Sequence, residues 1–392
     1  MVSTPTPTST PFCLRWGILA TGTIAATPAF ARDLLHPPSS RSVTDVSHLL
    51  LAVASSRSTT IAQQFITRIG ASSTIAYGSY ESLVADPRID AVYIASPHSH
   101  HYQNAMLALR AGKHVLCEKA FTVTANQAQR LMDTARERGC FLMEGLWTRL
   151  LPIAVRIRQE IEDGVIGSVV RVVADNSIGT DALHELRESY LTKRELAGGA
   201  LMDLGVYPIH WILQALHQLP DRKPSTILST MVPLGSAGVD ESTMLIMTFP
   251  ANPPSPASVQ AIASASLRAT GDSDGETPVV RIQGDEGEIQ VYGRPWCPSK
   301  YRIVKREQRF GMVGEVDEFQ FPIPGGAHGL CFEADEVARC VRDGRLESMS
   351  LPWEETLLVM GILDEVRRAN GLSFPDTIES DKYPVPMAVK QS

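Results

Sequence analysis

The sequence predicts a two-domain α/β protein, in which a doubly wound parallel sheet is followed by a second α/β domain with an open, mostly antiparallel sheet. Three observations support this fold class. The chain has 392 residues, more than one hydrophobic core usually serves. Short apolar runs alternate with helical stretches up to about residue 147, which is typical of a parallel sheet with helical crossovers. Beyond this point, longer runs alternate polar with apolar residues, as antiparallel strands with one covered face do.

The first region has the element order of a Rossmann dinucleotide-binding domain, which we predict over residues 13–147. The predicted strands cover 14–19, 49–54, 90–95, 114–117 and 141–143. One predicted helix ends near residue 35, and the others cover 59–69, 100–111 and 124–138. Thr124 with Gln127 forms a loose capping box at the start of the last helix. Residues 36–48 are interpreted as an insertion before the second strand. Residues 1–12, rich in Thr, Ser and Pro, are interpreted as a disordered tail without signal-peptide features.

The turn after the first strand carries a degenerate dinucleotide signature, A-x-G-x-x-A over residues 20–25. Gly22 would let the backbone approach a pyrophosphate, and Ala25 would let the next helix pack close to the strand. An ordinary tight turn explains these six residues equally well, but the repeated strand–helix pattern favours the dinucleotide interpretation. The residues predicted to bind the cofactor here are Ala20, Thr21, Gly22, Thr23 and Ile24.

The end of the second strand predicts the choice of cofactor. An NAD enzyme usually has Asp or Glu at this point, which accepts a hydrogen bond from the ribose hydroxyl. This chain has Ser55, Ser56 and Arg57 instead. Two hydroxyls and a guanidinium match a 2′-phosphate, so the sequence predicts NADP rather than NAD. A solvated turn with an incidental arginine is the alternative.

Two further strand ends are expected at the same edge of the sheet, where open α/β sheets bind ligands. One carries Ser96, Pro97 and His98, and the other carries Glu118 and Lys119. A lysine beside a nicotinamide can hydrogen-bond a substrate hydroxyl and lower its pKa. A surface lysine paired with Glu118 is the alternative, and these residues alone favour it.

An ionisable stripe occurs on the apolar helix predicted over 201–216. Asp203, Tyr207 and His210 are spaced i, i+4 and i+7, which places them on one face. Tyr207 can serve as general acid/base if Lys119 lowers its pKa from about 10 toward neutrality. The alternative is a core tyrosine with a satisfied hydroxyl and a capping aspartate.

The junction between the regions carries Trp147 and Arg149, whose indole ring and guanidinium can line a sugar-binding site. The alternative is that these residues form a packed hinge. The neighbouring His98, His100 and His101 lie at one helix start without a carboxylate at ligand spacing, so no metal is predicted.

The second domain is predicted over residues 148–392. Its predicted strands cover 169–174, 242–249, 258–267, 279–284, 287–291 and 302–305, and its late helices cover 331–343 and 352–369.

Composition narrows the class of protein. The net charge of −7 argues against general nucleic-acid binding. Six dispersed cysteines without a CxxC pair indicate a reducing compartment, and no run of about eighteen apolar residues is found. We therefore expect a cytoplasmic protein with neither a nucleic-acid nor a membrane partner.

Taken together, the motifs resemble the glucose-fructose oxidoreductase / inositol dehydrogenase family. The segments that carry this resemblance are GILATGTIA (17–25), IASPHSHH (94–101), EK (118–119) and GGALMDLGVY (198–207). Those similar to its branch of dimeric dihydrodiol dehydrogenases and fungal NADP-dependent D-xylose 1-dehydrogenases are EGLWTR (144–149), GLCFEAD (329–335) and MSLPWEE (349–355). The resemblance runs from Arg15 to about Asn370.

The resemblance implies roles for individual residues. Lys119 matches the lysine that assists catalysis near the nicotinamide, and Tyr207 stands where the sugar and dihydrodiol branch has its acid/base tyrosine. Asp203 matches an aspartate that contacts substrate, and Pro97 and His101 match a loop near the cofactor.

Three positions depart from the family pattern. Ala120 replaces the proline after the lysine, which leaves the backbone of Lys119 less fixed, and Ala20 replaces the first glycine of the nucleotide motif. His210 stands where inositol-type members carry aspartate, which weakens the case for a cyclitol substrate.

The activity that the resemblance implies is hydride transfer from C1 of an aldopyranose, with D-xylose first, to NADP, giving the aldono-lactone. It also implies a homodimer formed through the C-terminal sheet. Oxidation of trans-dihydrodiols or reduction of dicarbonyls remains open, as does a non-catalytic, nucleotide-sensing binder of the same fold.

Overall fold

A computed structural model describes residues 10–21, 26–180, 184–186, 189–217, 223–251, 258–307, 314–324 and 327–385. The first part of the chain alternates strands and helices as predicted. Its strands are β1 (Phe12–Leu19), β2 (Val46–Ala54), β3 (Ile75–Tyr77), β4 (Ala91–Ile94), β5 (His114–Glu118) and β6 (Leu142–Gly145). Its helices are α1 (Ala26–Leu35), α2 (Thr59–Ile69), α3 (Tyr80–Val84), α4 (His98–Arg110) and α5 (Ala125–Arg138).

These strands form a parallel sheet in the order β3-β2-β1-β4-β5-β6, which confirms the doubly wound prediction. The shortest of these strands, β3, and the shortest of these helices, α3, were not predicted. β3 is three residues long and only half-buried, so it lacks the apolar run that marks the other strands. Local signals set the helix starts well, since Thr124 caps α5 by accepting from the Gln127 N–H at 3.3 Å.

The second part is built on another sheet. Its strands are β7 (Val169–Ser177), β8 (Thr226–Pro233), β9 (Asp240–Phe249), β10 (Val259–Ser266), β11 (Val280–Gly284), β12 (Gly287–Arg294), β13 (Cys297–Lys305) and β14 (Val316–Gln320). Its helices are α6 (Pro152–Glu162), α7 (Val206–Ala215), α8 (Cys331–Arg342), α9 (Trp353–Ala369) and α10 (Asp376–Glu379).

The strand order β14-β13-β12-β11-β7-β10-β9-β8 confirms an open, mostly antiparallel sheet, in which only β7 and β10 pair in parallel within the described residues. Helix α7 packs on β7 and β10 and covers one face. The prediction missed α6, α10, β8 and β14. The exposed edge strands β8 and β14 bury few side chains, so hydrophobic patterning marks them weakly.

The chain returns to the first sheet after β14. Helix α8 is held there by Asp335, which accepts from Arg41 Nη2 at 2.6 Å and lies 2.8 Å from His48 Nε2. The buried carboxylate of Asp33 on α1 accepts from the backbone N–H groups of His328 and Gly329, both at 2.9 Å. The returning segment therefore becomes a wall of the space above the parallel sheet.

One expectation about composition was wrong. The stretch Arg194–Ala215 is 22 residues long and apolar enough to span a membrane by length and composition. All of its apolar window is buried inside the protein, as expected of a core helix, so this single stretch is weak grounds for a membrane span.

Candidate active site

A cavity of about 980 Å³ lies over the carboxyl ends of β1, β2, β4 and β5 and reaches the start of α7. It gathers most of the predicted site residues into one space. Those that line it are Ala20, Thr21, Ser55, Ser56, Arg57, Ser96, Pro97, His98, Glu118, Lys119, Trp147, Asp203 and Tyr207. The predicted Gly22, Thr23 and Ile24, like Ala25, lie outside the described residues.

The part of the cavity at the ends of β1 and β2 is open and polar. Ser55 is buried, and its Oγ accepts from the Arg57 N–H at 3.2 Å. The side chain of Arg57 is exposed and has no ion-pair partner in the described part of the chain. A dinucleotide therefore fits this end, where a guanidinium and two hydroxyls face the cavity and no carboxylate of the described residues pairs with the guanidinium.

His101 does not line the cavity, which corrects its predicted contact with the cofactor. It is fully buried, with Nδ1 2.9 Å from the Ala120 carbonyl oxygen and Nε2 2.7 Å from that of Ser96. Burial lowers the pKa of His101 to about 3, so its neutral ring donates to one of these two oxygens. His101 thus ties together two backbone segments on which cavity residues stand.

At the other end, a buried ion pair joins the two parts of the chain. Lys119 Nζ, directly after β5, donates to Asp203 Oδ1 at 2.6 Å and to the Asp203 carbonyl oxygen at 2.9 Å. Burial opposes the charge of Lys119, but the carboxylate of Asp203 outweighs it and raises the lysine pKa. The pKa of Asp203 is lowered despite its burial, because Lys119 and His98 lie close to it. Both groups are therefore charged at neutral pH.

Tyr207 faces the same space. Its Oη accepts from Trp147 Nε1 at 3.3 Å, and Lys119 Nζ lies 5.2 Å from the centroid of its ring. Burial raises the pKa of Tyr207 above 10, and the charge of Lys119 offsets this only in part. The prediction that Lys119 brings this pKa toward neutrality was wrong for the protein groups alone, because desolvation of the phenolate exceeds the attraction of an ammonium already paired with Asp203.

A π-helical turn, Leu201–Gly205, precedes α7 and changes the predicted helix face. Asp203 and Tyr207 both line the cavity, but His210 does not. The ring of His210 lies between the carboxylates of Glu144 and Glu355, at 3.5 and 3.6 Å. The extra residue of a π turn shifts the register, so the expected i, i+4, i+7 stripe is split between the cavity and the domain junction.

Arg149 also lies at the junction rather than in the cavity. Its Nε donates to the Ser350 carbonyl oxygen at 2.8 Å, and its Nη2 donates to Glu355 Oε2 at 3.0 Å. It is 5% exposed. The prediction that Arg149 contacts substrate is therefore corrected in favour of a packed hinge, since a buried guanidinium needs its carboxylate.

Glu118 lines the cavity and accepts a short hydrogen bond from Tyr93. Burial raises the pKa of Glu118 to about 7. Among the described residues, no group of three or more His, Cys, Asp or Glu side chains could hold a metal ion.

Comparison with known proteins gives the family. A profile for an oxidoreductase family with an NAD-binding Rossmann fold, GFO/IDH/MocA, matches residues 14–146, and its C-terminal domain profile matches residues 154–290. The chain belongs to the GFO/IDH/MocA family of oxidoreductases. This confirms the resemblance inferred from the motifs.

Two relatives of this GFO/IDH/MocA protein match nearly its whole length. D-xylose 1-dehydrogenase (NADP(+)) of Hypocrea jecorina is 46% identical and covers 95% of this chain and 96% of its own. Human trans-1,2-dihydrobenzene-1,2-diol dehydrogenase is 32% identical and covers 92% and 98%.

Two solved structures share the fold. A 3-ketoreductase from Actinomadura kijaniata in complex with NADP and TDP-benzene has a TM-score of 0.72 at 24% identity, covering 91% of this chain and 98% of its own. A levoglucosan dehydrogenase with NADH and levoglucosan has a TM-score of 0.75 at 18% identity, covering 92% and 97%.

Several lining residues of this GFO/IDH/MocA protein were not predicted from the sequence. They come from the loop after β7, from the β12–β13 hairpin and from the segment before α8: Tyr190, Arg294, Trp296, Cys297 and His328. The tryptophan in a hairpin turn was the one available signal, since a large aromatic at a turn is seldom needed for packing.

Proposed function

We propose that the protein is an NADP-dependent dehydrogenase that oxidises C1 of an aldopyranose, with D-xylose first, to the aldono-lactone. The observation that carries the proposal is the convergence of the Lys119–Asp203 pair and the Tyr207 hydroxyl on one cavity above the carboxyl ends of the parallel strands. The D-xylose 1-dehydrogenase relative, similar over nearly the whole chain, supports the substrate.

Each residue has a separate role in the proposed reaction. Tyr207 Oη would accept the C1 hydroxyl proton as the C1–H bond breaks, leaving the carbonyl of the lactone. Lys119 donates two of its three N–H groups to Asp203, so one remains for the substrate hydroxyl. Trp147 Nε1 can only donate, so its hydrogen bond to Tyr207 Oη supports the phenolate. When bound, NADP would supply the hydride acceptor and a positively charged ring that favours ionisation of Tyr207.

The preference for NADP rests on the end of β2. Arg57 is an exposed cation at the cavity, and the two serines before it carry hydroxyls. A 2′-phosphate would gain charge-assisted hydrogen bonds there, whereas a ribose hydroxyl would find no carboxylate at the end of β2 to accept its hydrogen bond, since Ser55, Ser56 and Arg57 follow that strand.

A second candidate substrate is a trans-dihydrodiol. Trp147 and Trp296 both line the cavity, and the ring centroid of Trp296 lies 6.3 Å from that of Tyr207. This aromatic wall suits the ring of a cyclic diol as well as the apolar face of a pyranose. The dihydrodiol dehydrogenase relatives are consistent with this alternative.

The test is the initial rate of NADP reduction with D-xylose, D-glucose, L-arabinose and trans-1,2-dihydrobenzene-1,2-diol, repeated with NAD. We expect the highest kcat/KM with D-xylose and NADP. Activity on the diol alone would support the same active site but with a trans-dihydrodiol, not a sugar, as its substrate. No turnover across the panel would overturn the enzymatic proposal.

We also propose that the protein forms a homodimer through the open face of the second sheet. Leu228, Ile246 and Ile262 are directly paired across β8, β9 and β10 and are 61%, 48% and 37% exposed. A contiguous apolar row is unusual on a surface that remains in water.

Sedimentation velocity tests this dimer. We expect a dimer for the wild-type protein and a monomer for Ile246→Glu, because the substitution would bury a carboxylate in the contact. Met349→Glu, at an exposed apolar residue outside the sheet, is the matched control. A monomeric wild-type protein, or a dimeric Ile246→Glu variant, would overturn the proposal.

A further inference from the structure

One carboxylate oxygen of Asp203 receives two donors. Lys119 Nζ and Tyr190 Oη each lie 2.6 Å from Oδ1. A carboxylate oxygen offers two lone-pair positions, so these donors fill it. His98 Nε2 lies 3.8 Å from the same oxygen, beyond hydrogen-bond distance, and Nδ1 of that ring lies 2.9 Å from the Ala197 carbonyl oxygen.

Tyr190 is fixed in place by its surroundings. It begins a 3₁₀ turn, Tyr190–Thr192, in which Ser189 Oγ accepts from the Leu191 N–H at 3.3 Å. The turn packs so closely on Gly198 that a Cβ there would lie 2.3 Å from the Tyr190 carbonyl oxygen. The Tyr190 ring meets His98 edge-on, with centroids 5.6 Å apart. The hydroxyl is therefore held toward Asp203 by backbone and ring contacts.

We propose that Tyr190 is a positioning residue for Lys119, because its hydroxyl occupies the second acceptor position of Asp203 Oδ1. The carboxylate is thereby held in the orientation that binds Lys119 and leaves the third N–H of the lysine for the substrate. This inference rests on the proposed function, in which Lys119 assists Tyr207. It concerns a residue that neither the motifs nor the relatives single out.

The charges around Asp203 give the sign of the effect. Lys119 and His98 face it from the first domain, with Glu118 near the lysine, and Tyr207 lies on its own helix. The hydrogen bond from Tyr190 helps to lower the pKa of Asp203, so its removal raises that pKa. A carboxylate with one donor fewer also holds the proton of Lys119 more tightly.

The experiment uses Tyr190→Phe, which keeps the ring against His98. Tyr292→Phe is the control, since that hydroxyl bonds to Gln290 and Arg302 within the second sheet. The lower limb of kcat/KM against pH, where Asp203 takes up a proton well below the pH range of the Tyr207 slope, is measured with the best substrate of the panel. In Tyr190→Phe we expect this limb to move to higher pH by about one to two units, the size expected from losing one hydrogen bond to a charged group. We expect kcat to fall while KM for NADP stays unchanged.

A second readout needs no turnover. Competitive acetylation of Lys119, followed by mass spectrometry across pH, reports its proton affinity, and we expect the half-reaction pH to rise in Tyr190→Phe alone. A shift in acetylation with an inactive wild-type protein would support the positioning role and overturn the proposed function. An active wild-type protein with neither curve moved would overturn the positioning role. An increase in sugar KM alone would make Tyr190 a substrate contact and would also overturn it.

Discussion

The two ends of the cavity differ in how far they are completed by the protein itself. At the cofactor end, Ser56 and Arg57 are exposed, and the guanidinium has no ion pair among the described residues. At the reacting end, Lys119 and Asp203 are about nine-tenths buried and bound to each other. The cofactor end is thus arranged for an anion that comes from outside, whereas the reacting end is pre-organised before substrate arrives. Substitutions at the two ends should therefore change different constants.

The largest expected effect is at the reacting end. Tyr207→Phe removes the proposed acid/base group and should lower kcat by about two to four orders of magnitude. The Kd for NADPH, measured from its fluorescence, should stay within about twofold, because the cofactor end is untouched. Unchanged turnover would remove Tyr207 from this role, and loss of NADPH binding would show that the two ends are not separable.

The pH dependence of oxidation is the next largest effect. Burial raises the pKa of Tyr207, and its phenolate is the form that accepts a proton, so the active fraction grows as pH rises toward that pKa. We expect kcat/KM for oxidation to rise up to about tenfold per pH unit between pH 7 and 9. Tyr207→Phe should lose this slope. A plateau reached near pH 7 in the wild-type protein would show that the bound cofactor brings the tyrosine pKa to neutrality.

At the cofactor end, Arg57→Ala should weaken NADP binding and spare NAD. One charge-assisted hydrogen bond contributes about 1.5–3 kcal/mol, so KM for NADP should rise about ten- to a hundredfold. The kcat at saturating NADP should stay unchanged. Arg138→Ala, an exposed arginine outside the cavity, is the control. An equal rise in KM for both cofactors would contradict recognition of the 2′-phosphate.

The smallest expected effect concerns strain at the cofactor end. Ala20 has φ +96°, a conformation that favours glycine. Ala20→Gly should raise the free energy of unfolding by about 0.5–1 kcal/mol, since relief of strain exceeds the added entropy of the unfolded chain. Guanidinium unfolding measures it, with Ala135→Gly in helix α5 as a control that should destabilise. A less stable Ala20→Gly variant would show that the turn is not strained by the alanine.

The same difference between the ends explains what the sequence could predict. The cofactor end is built from consecutive strand–turn–helix units, so Ser55, Ser56 and Arg57 could be assigned from local pattern alone. The reacting end brings together residues from distant segments. Tyr190 and Trp296 reach it through loop and hairpin geometry that no local pattern encodes.

Two errors at the junction have the same cause. Arg149 and His210 were judged by spacing and residue type, but their positions depend on Glu355, which lies more than 140 residues later in the chain. A buried charge is placed by its partner, and the partner cannot be identified from one sequence.

Hydride transfer from C1 to NADP is tested by following the hydrogen on C1. D-xylose deuterated at C1 would be oxidised with NADP, and the reduced cofactor and the product would be analysed by mass spectrometry. We expect one deuterium in the reduced cofactor, an unlabelled xylonolactone and a slower rate than with the protiated sugar. Deuterium retained in the oxidised product would place the chemistry at another carbon and contradict hydride transfer from C1.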